Sequence, residues 1–150
     1  MLEVAKKMPN TEFVFIGYGP SADKMKDIPN VKYLGFKTGE ELYRIIAEAA
    51  ISVCPSEWYE NCPYSVMESV LLGTPVVGSK MGGIPELIEP GKTGELFEAG
   101  NVEELMKAIQ KILHTPDTLE KYTDNCKLVQ YETTESYYEK LIRIYQGLKA

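Results

Sequence analysis

Five short apolar runs alternate with stretches of helical periodicity, and no other feature constrains the fold of this chain as tightly. The runs are EFVFIG (12–17), VKYLGF (31–36), ISVCP (51–55), PVVGS (75–79) and GELF (94–97). Breakers such as Gly, Pro and Asn bound them, and several are apolar at consecutive positions, as strands buried on both faces are. Helical segments fall at Leu2 to Lys7, in SADKMKDI, and at EELYRIIAEA, PYSVMESVLL and IPELI. Three more follow the last strand: VEELMKAIQKILH, Thr118 to about Leu128, and SYYEKLIRIYQGLK. Short strands joined by amphipathic helices predict an α/β fold, a doubly wound, Rossmann-like parallel sheet with helices on both faces. A chain of 150 residues suits a single domain over 1–150, with C-terminal helices from about 116. Two helix ends are legible. Thr38 with Glu41 three residues on has the form of a capping box, and Gly73 suits the C′ position after PYSVMESVLL.

Ligands of such a sheet bind beyond the carboxyl ends of its strands. The loop at Gly17 to Pro20, the Gly35 to Gly39 turn, the acidic loop at Glu60 and the Gly82–Gly83 turn are all expected at that edge. Glu60 and Glu68 carry the strongest chemical signal. Pro63 suits the first turn of a helix, where its missing N–H costs nothing, and that helix carries Glu68 one to two turns in. On one continuous helix the two carboxylates would lie about 80° apart around the axis. With Glu60 on the entering loop they can instead grip two ends of an elongated ligand. Between them lie the free N–H groups of a helix N-terminus, at Tyr64, Ser65 and Val66, which favour an anion such as phosphate. Two carboxylates for hydroxyl groups with a phosphate seat between them is the chemistry of holding a sugar nucleotide. Either carboxylate alone would read as an ordinary solvated acid.

Other constellations are weaker. GYGPSA (17–22) fits the G-x-G-x-x-A fingerprint of an NAD-binding domain, but Pro20 follows the second glycine, and Lys37 stands where an acid should end the second strand. Gly17 and Gly19 serve equally as a tight turn or as a place where backbone approaches a nucleotide. Cys54, Cys62 and Cys126 have no zinc-type spacing and read as free thiols of a reducing cytoplasm, Cys54 in the core. His114, the sole histidine, has no visible orienting partner. Trp58 and Tyr59 suit stacking on a sugar or base, or packing the loop down. Tyr137, Tyr138 and Tyr145 form a stripe on the last helix that suits an interface. The net charge of −6 argues against a nucleic-acid partner, and no segment is long and apolar enough to span a bilayer.

The E-x7-E pair, the G-T-P-V-V that follows it and the GGIPELI segment together resemble the donor domain of retaining glycosyltransferase family 4, which has the GT-B fold. The likeness runs from about Glu12 to Leu113. It implies that Glu60 contacts the transferred sugar, that Glu68 holds the ribose hydroxyls, and that backbone amides between them meet the diphosphate. Asn61, Cys62 and Pro63 stand where the family often has small glycines, so Asn61 joins Tyr64, Ser65 and Val66 among the donor contacts. Gly17, Gly19, Gly82 and Gly83 would lie beside the donor. The implied function is transfer of a hexose from a UDP- or GDP-sugar to a glycan or lipid acceptor, metal-independent and without a cofactor. The implied place is the cytoplasm, at the inner face of the membrane for a longer parent. A non-catalytic nucleotide or nucleotide-sugar binding module is the alternative.

Two family features are missing: the acceptor domain, and the first donor-domain strand with the Arg and Lys that neutralise the diphosphate. The fragment is therefore expected to be inactive alone. That strand would lie centrally, between EFVFIG and ISVCP. Direct pairing of those two, a strand from a second copy in a homodimer or swap, and marginal stability are the outcomes left open.

Overall fold

In a computed structural model, which describes residues 1–148, all five runs become strands: β1 (Phe13–Phe15), β2 (Val31–Tyr33), β3 (Ser52–Cys54), β4 (Val76–Ser79) and β5 (Gly94–Phe97). The helices are α1 (Leu2–Lys7), α2 (Ala22–Met25), α3 (Gly39–Glu48), α4 (Tyr64–Leu71), α5 (Ile84–Leu87), α6 (Val102–His114), α7 (Thr118–Lys127) and α8 (Thr134–Gly147). The end of the last predicted helix, at Lys149, lies outside the described residues. All pairing is parallel, as expected, but it falls into two sheets, β1–β2 and β3–β4–β5.

Direct pairing of EFVFIG with ISVCP does not occur. In a parallel ladder alternate residues turn their N–H and C=O to the same neighbour. Phe13 N–H donates to Asn30 O at 2.8 Å and Leu34 N–H to Phe15 O at 3.0 Å, so Phe13 and Phe15 serve β2 and Val14 faces the other way. Ser52 N–H donates to Pro75 O at 2.9 Å, which turns Val53 away from β4 in the same manner. Exposure follows this division. Val14 is 42% exposed and β3 is only half-buried, whereas β4 is buried at every position.

What joins the two sheets is a shared core. Phe13 of β1, Val77 of β4 and Phe97 of β5 pack with Val4 and Ala5 of α1 and with Leu105, Ile109 and Ile112 of α6. The neighbouring residue Val76 points to the opposite face, as strand alternation requires. There it meets Val66 and Val70 of α4, Ile84 of α5 and Cys126 of α7. Helices therefore cover both faces of the β3–β4–β5 sheet, and β4 is its spine.

Local signals were met unevenly. Gly73, at φ +84, ends α4 in a Schellman motif, its N–H bonded to Val70 O and that of Thr74 to Ser69 O. Thr38 is the N-cap of α3, but the expected capping box is not formed. Glu41 pairs instead with Lys37, at 2.6 Å, one turn back along the chain. Pro63 is the N-cap of α4, one residue before the first turn where it was expected. Cys54 is half-buried, not core; the fully buried thiol is Cys126, because α7 folds onto α4 and β4 while the edge of β3 stays open. α8 has no buried residue, and Tyr137, Tyr138 and Tyr145 on it are all exposed. Among the described residues no helix is long and apolar enough to cross a membrane.

Candidate functional site

Glu60 sits half-buried in the loop between β3 and α4, and the Gly82–Gly83 turn after β4 holds that loop from beneath. Gly83 N–H donates to Glu60 O at 2.7 Å. A Cβ on Gly82 would lie 2.2 Å from Glu60 O, and one on Gly83 only 2.0 Å from Asn61 O. No side chain fits there, so the glycine pair is required by close backbone approach, and at Gly82 also by φ +56. The side chain of Glu60 is held as well. Its Oε1 accepts a hydrogen bond from Ser56 Oγ at 2.8 Å, and Ser79 Oγ, fully buried at the end of β4, donates to Ser56 O at 2.7 Å.

Immediately after this loop α4 begins. Among the described residues the N–H groups of Tyr64 and Ser65 have no acceptor, as expected of a helix start. The Val66 N–H does not share that freedom. It donates to Pro63 O at 3.0 Å, and its side chain is core, so the anion seat has two open amides and not three. Glu68 follows one turn in, half-buried, with no hydrogen-bond partner for its carboxylate among the described residues. Ser69 bonds both Ser65 O, at 2.7 Å, and the Ser52 hydroxyl, at 2.9 Å, which fixes α4 onto β3. Burial, with the charge of Glu60 adding to it, pushes the Cys54 thiol up, so this residue at the base of the loop stays protonated.

A second cluster lies at the carboxyl ends of β1 and β2. Gly17, at φ +118, donates its N–H to Gly35 O at 2.8 Å and accepts from the Tyr33 hydroxyl at 2.7 Å. The neighbouring rings of Tyr18 and Phe36 stack at 5.5 Å and stand exposed. Beside Gly19 the space is open. Lys37 and Lys80, which follow β2 and β4, are already paired with Glu41 and Glu98.

The structure thus brings Glu60, Asn61, Gly82 and Gly83 into contact and places Tyr64, Ser65 and Glu68 on the helix that continues from them. Gly17 and Gly19 belong to the second cluster, on the other sheet. Trp58, Tyr59 and Tyr64 are exposed around the acidic loop. Sequence reading missed Ser56 and Ser79; the serine in ISVCPS was a signal, but its partner lies on another strand.

Residues 1–129 match the family model described as glycosyl transferases group 1. The chain is 36% identical over 124 residues to the sulfoquinovosyl transferase SQD2 of Arabidopsis thaliana, an alignment covering 78% of the chain and 24% of that relative. Sucrose-phosphate synthase from Thermosynechococcus elongatus has the same fold, with a TM-score of 0.80 at 22% identity, over 98% of this chain and 41% of that one. HepE of Anabaena in complex with UDP-glucose matches with a TM-score of 0.72 at 22% identity, over 84% and 39% of the two chains. The chain therefore spans well under half the length of these proteins, and its fold corresponds to the Rossmann-like half of a GT-B enzyme.

Proposed function

This chain belongs to the group 1 glycosyl transferases, and on that premise we propose that it is the donor-binding domain of a retaining enzyme that transfers a hexose from a UDP- or GDP-sugar to a glycan or lipid acceptor. The observation that carries this reading is the acidic loop itself. Glu60 is locked against Gly82–Gly83 directly ahead of a helix start with two open amides, and Glu68 follows on the same helix. A sugar nucleotide laid along this path presents its sugar to Glu60, its diphosphate to the Tyr64 and Ser65 N–H groups, and its ribose hydroxyls to Glu68. In this reading the helix terminus meets the anionic charge, and no metal is called on. That HepE was crystallised with UDP-glucose supports a nucleotide-sugar donor of this class.

The roles divide by what each group meets. A carboxylate accepts hydrogen bonds from paired ribose hydroxyls without competing for the diphosphate, which suits Glu68. Glu60 meets the transferred sugar in the bound donor and faces the part of it where positive charge develops as the glycosidic bond lengthens, so it serves both sugar binding and the transition state. Gly82 and Gly83 place backbone beside the sugar, Asn61 borders it, and Gly17 and Gly19 border the nucleotide. Acceptor binding belongs to a further domain of a longer enzyme, acting in the cytoplasm at the inner face of the membrane. The test is a titration of the chain with UDP-glucose, GDP-mannose, ADP-glucose, their diphosphates and NAD, followed by NMR shifts. Binding should perturb Glu60, Tyr64, Ser65 and Glu68 with at least one nucleotide sugar. A response to NAD alone, or shifts confined to other residues, would refute the reading.

A further inference from the structure

We propose that Ser56 is the positioning residue for the Glu60 carboxylate: its hydroxyl holds Oε1 so that Oε2 is presented to the transferred sugar. The inference rests on the donor-binding reading and names the group that makes Glu60 competent within it. A serine hydroxyl carries one proton. Ser56 Oγ has two acceptors in reach, Glu60 Oε1 at 2.8 Å and Trp58 O at 3.3 Å. The proton goes to the nearer acceptor, which is also the charged one. The Trp58 N–H approaches the same oxygen from behind, at 3.4 Å, so the hydroxyl accepts from one side and donates to the other. Among the described residues Oε2 of Glu60 has no protein donor.

Ser56 is itself fixed. Ser79 is fully buried and donates to Ser56 O at 2.7 Å, and four residues further along, Gly83 N–H holds Glu60 O at 2.7 Å. The end of β4 and the turn after it thus anchor the acidic loop at two points, Ser56 and Glu60. Without the Ser56 hydroxyl the loop backbone would keep these anchors, but the three side-chain torsions of Glu60 would be free to wander and would have to be ordered by the ligand. The hydroxyl therefore acts on the carboxylate and not on the loop. That distinction makes the proposal testable.

The experiment measures the affinity of wild type, Ser56→Ala, Ser56→Thr, Glu60→Ala and the double variant Ser56→Ala/Glu60→Ala for UDP-glucose, GDP-mannose and ADP-glucose and for the matching diphosphates, by NMR titration. For the sugar that wild type prefers, Ser56→Ala should lower the ratio of nucleotide-sugar to diphosphate affinity about tenfold, the weight of a charge-assisted hydrogen bond. Affinity for the diphosphate should stay within about twofold, since the phosphate seat is untouched. Ser56→Thr, which keeps the hydroxyl, should restore the ratio. In the Glu60→Ala background Ser56→Ala should add nothing. Equal losses for diphosphate and nucleotide sugar, or full additivity in the double variant, would make Ser56 a loop residue only and overturn the proposal. A sugar preference abolished by Glu60→Ala but kept by Ser56→Ala would overturn the positioning role and leave the donor-binding reading standing. A wild-type chain that binds none of the panel, or binds without preferring any sugar over its diphosphate, would overturn both.

Discussion

Adding one methyl group at Gly83 should both destabilise the domain and disarm its sugar site. In Gly83→Ala the new Cβ would lie 2.0 Å from Asn61 O and 3.1 Å from Asn61 C. An ordinary contact begins at 3.4 Å, so the acidic loop must retreat by about 1.4 Å, the difference of those two distances. The backbone of Gly83, at φ −82 and ψ −4, is one that alanine adopts freely, so the effect is steric and not conformational. Overpacking of this kind costs about 1–3 kcal/mol. Loss of the Gly83 N–H to Glu60 O bond adds about 0.5–1.5 kcal/mol. The stiffer unfolded chain returns about 0.4–1 kcal/mol. The net is a destabilisation of about 2 kcal/mol, or roughly 4–8 °C in Tm for a domain of this size. Thermal unfolding checks the first part, with Gly19→Ala as control, since Gly19 has open space and no positive φ. NMR titration checks the second: the nucleotide-sugar preference should fall while diphosphate binding persists. A Gly83→Ala protein that melts with the Gly19→Ala control and keeps its sugar preference would show that the close approach of the two turns does not position Glu60.

Three further outcomes follow from the same geometry. Glu68→Gln should weaken nucleoside diphosphate binding by about 1.5–3 kcal/mol, the range for bonds to a charged group; calorimetry returning an unchanged affinity would remove Glu68 from the ribose. In a complete enzyme Glu60→Ala should depress kcat strongly and leave affinity for the bare diphosphate nearly intact, whereas equal losses would place Glu60 on the nucleotide. Burial pushes the Cys126 thiol up from 9.0 to about 11. Its contribution to stability is therefore complete below pH 9.0 and lost as pH rises through about 11. The loss should reach about 2 kcal/mol, and Cys126→Ala should flatten that part of the stability profile; a denaturant series at pH 8.5, 10 and 11 giving identical slopes for both proteins would contradict it.

The sequence by itself determined what depends on near neighbours. Strand and helix periods are local, so β5 and α6 begin and end where the apolar pattern does. The αL residue that closes α4 had to be Gly73 because a Cβ is penalised there. The chemistry of Glu60 and Glu68 was legible for the same reason: a loop acid, a proline, a helix start and a second acid are consecutive along the chain. Even local readings failed where two local partners competed, as when Lys37 took Glu41 from the cap of Thr38 and Pro63 took the amide of Val66.

Only the tertiary structure decided the rest. Which strands pair, and that β1 and β3 share a core without sharing a ladder, depends on many weak burial terms summed over distant segments. No pattern near Glu60 announces that Gly82 and Gly83 will lie against its carbonyl, or that Ser79 will hold Ser56. Those contacts join residues more than twenty positions apart. They exist because β4 pairs beside β3 and sets both outgoing turns at one edge, a juxtaposition that no single stretch of chain encodes.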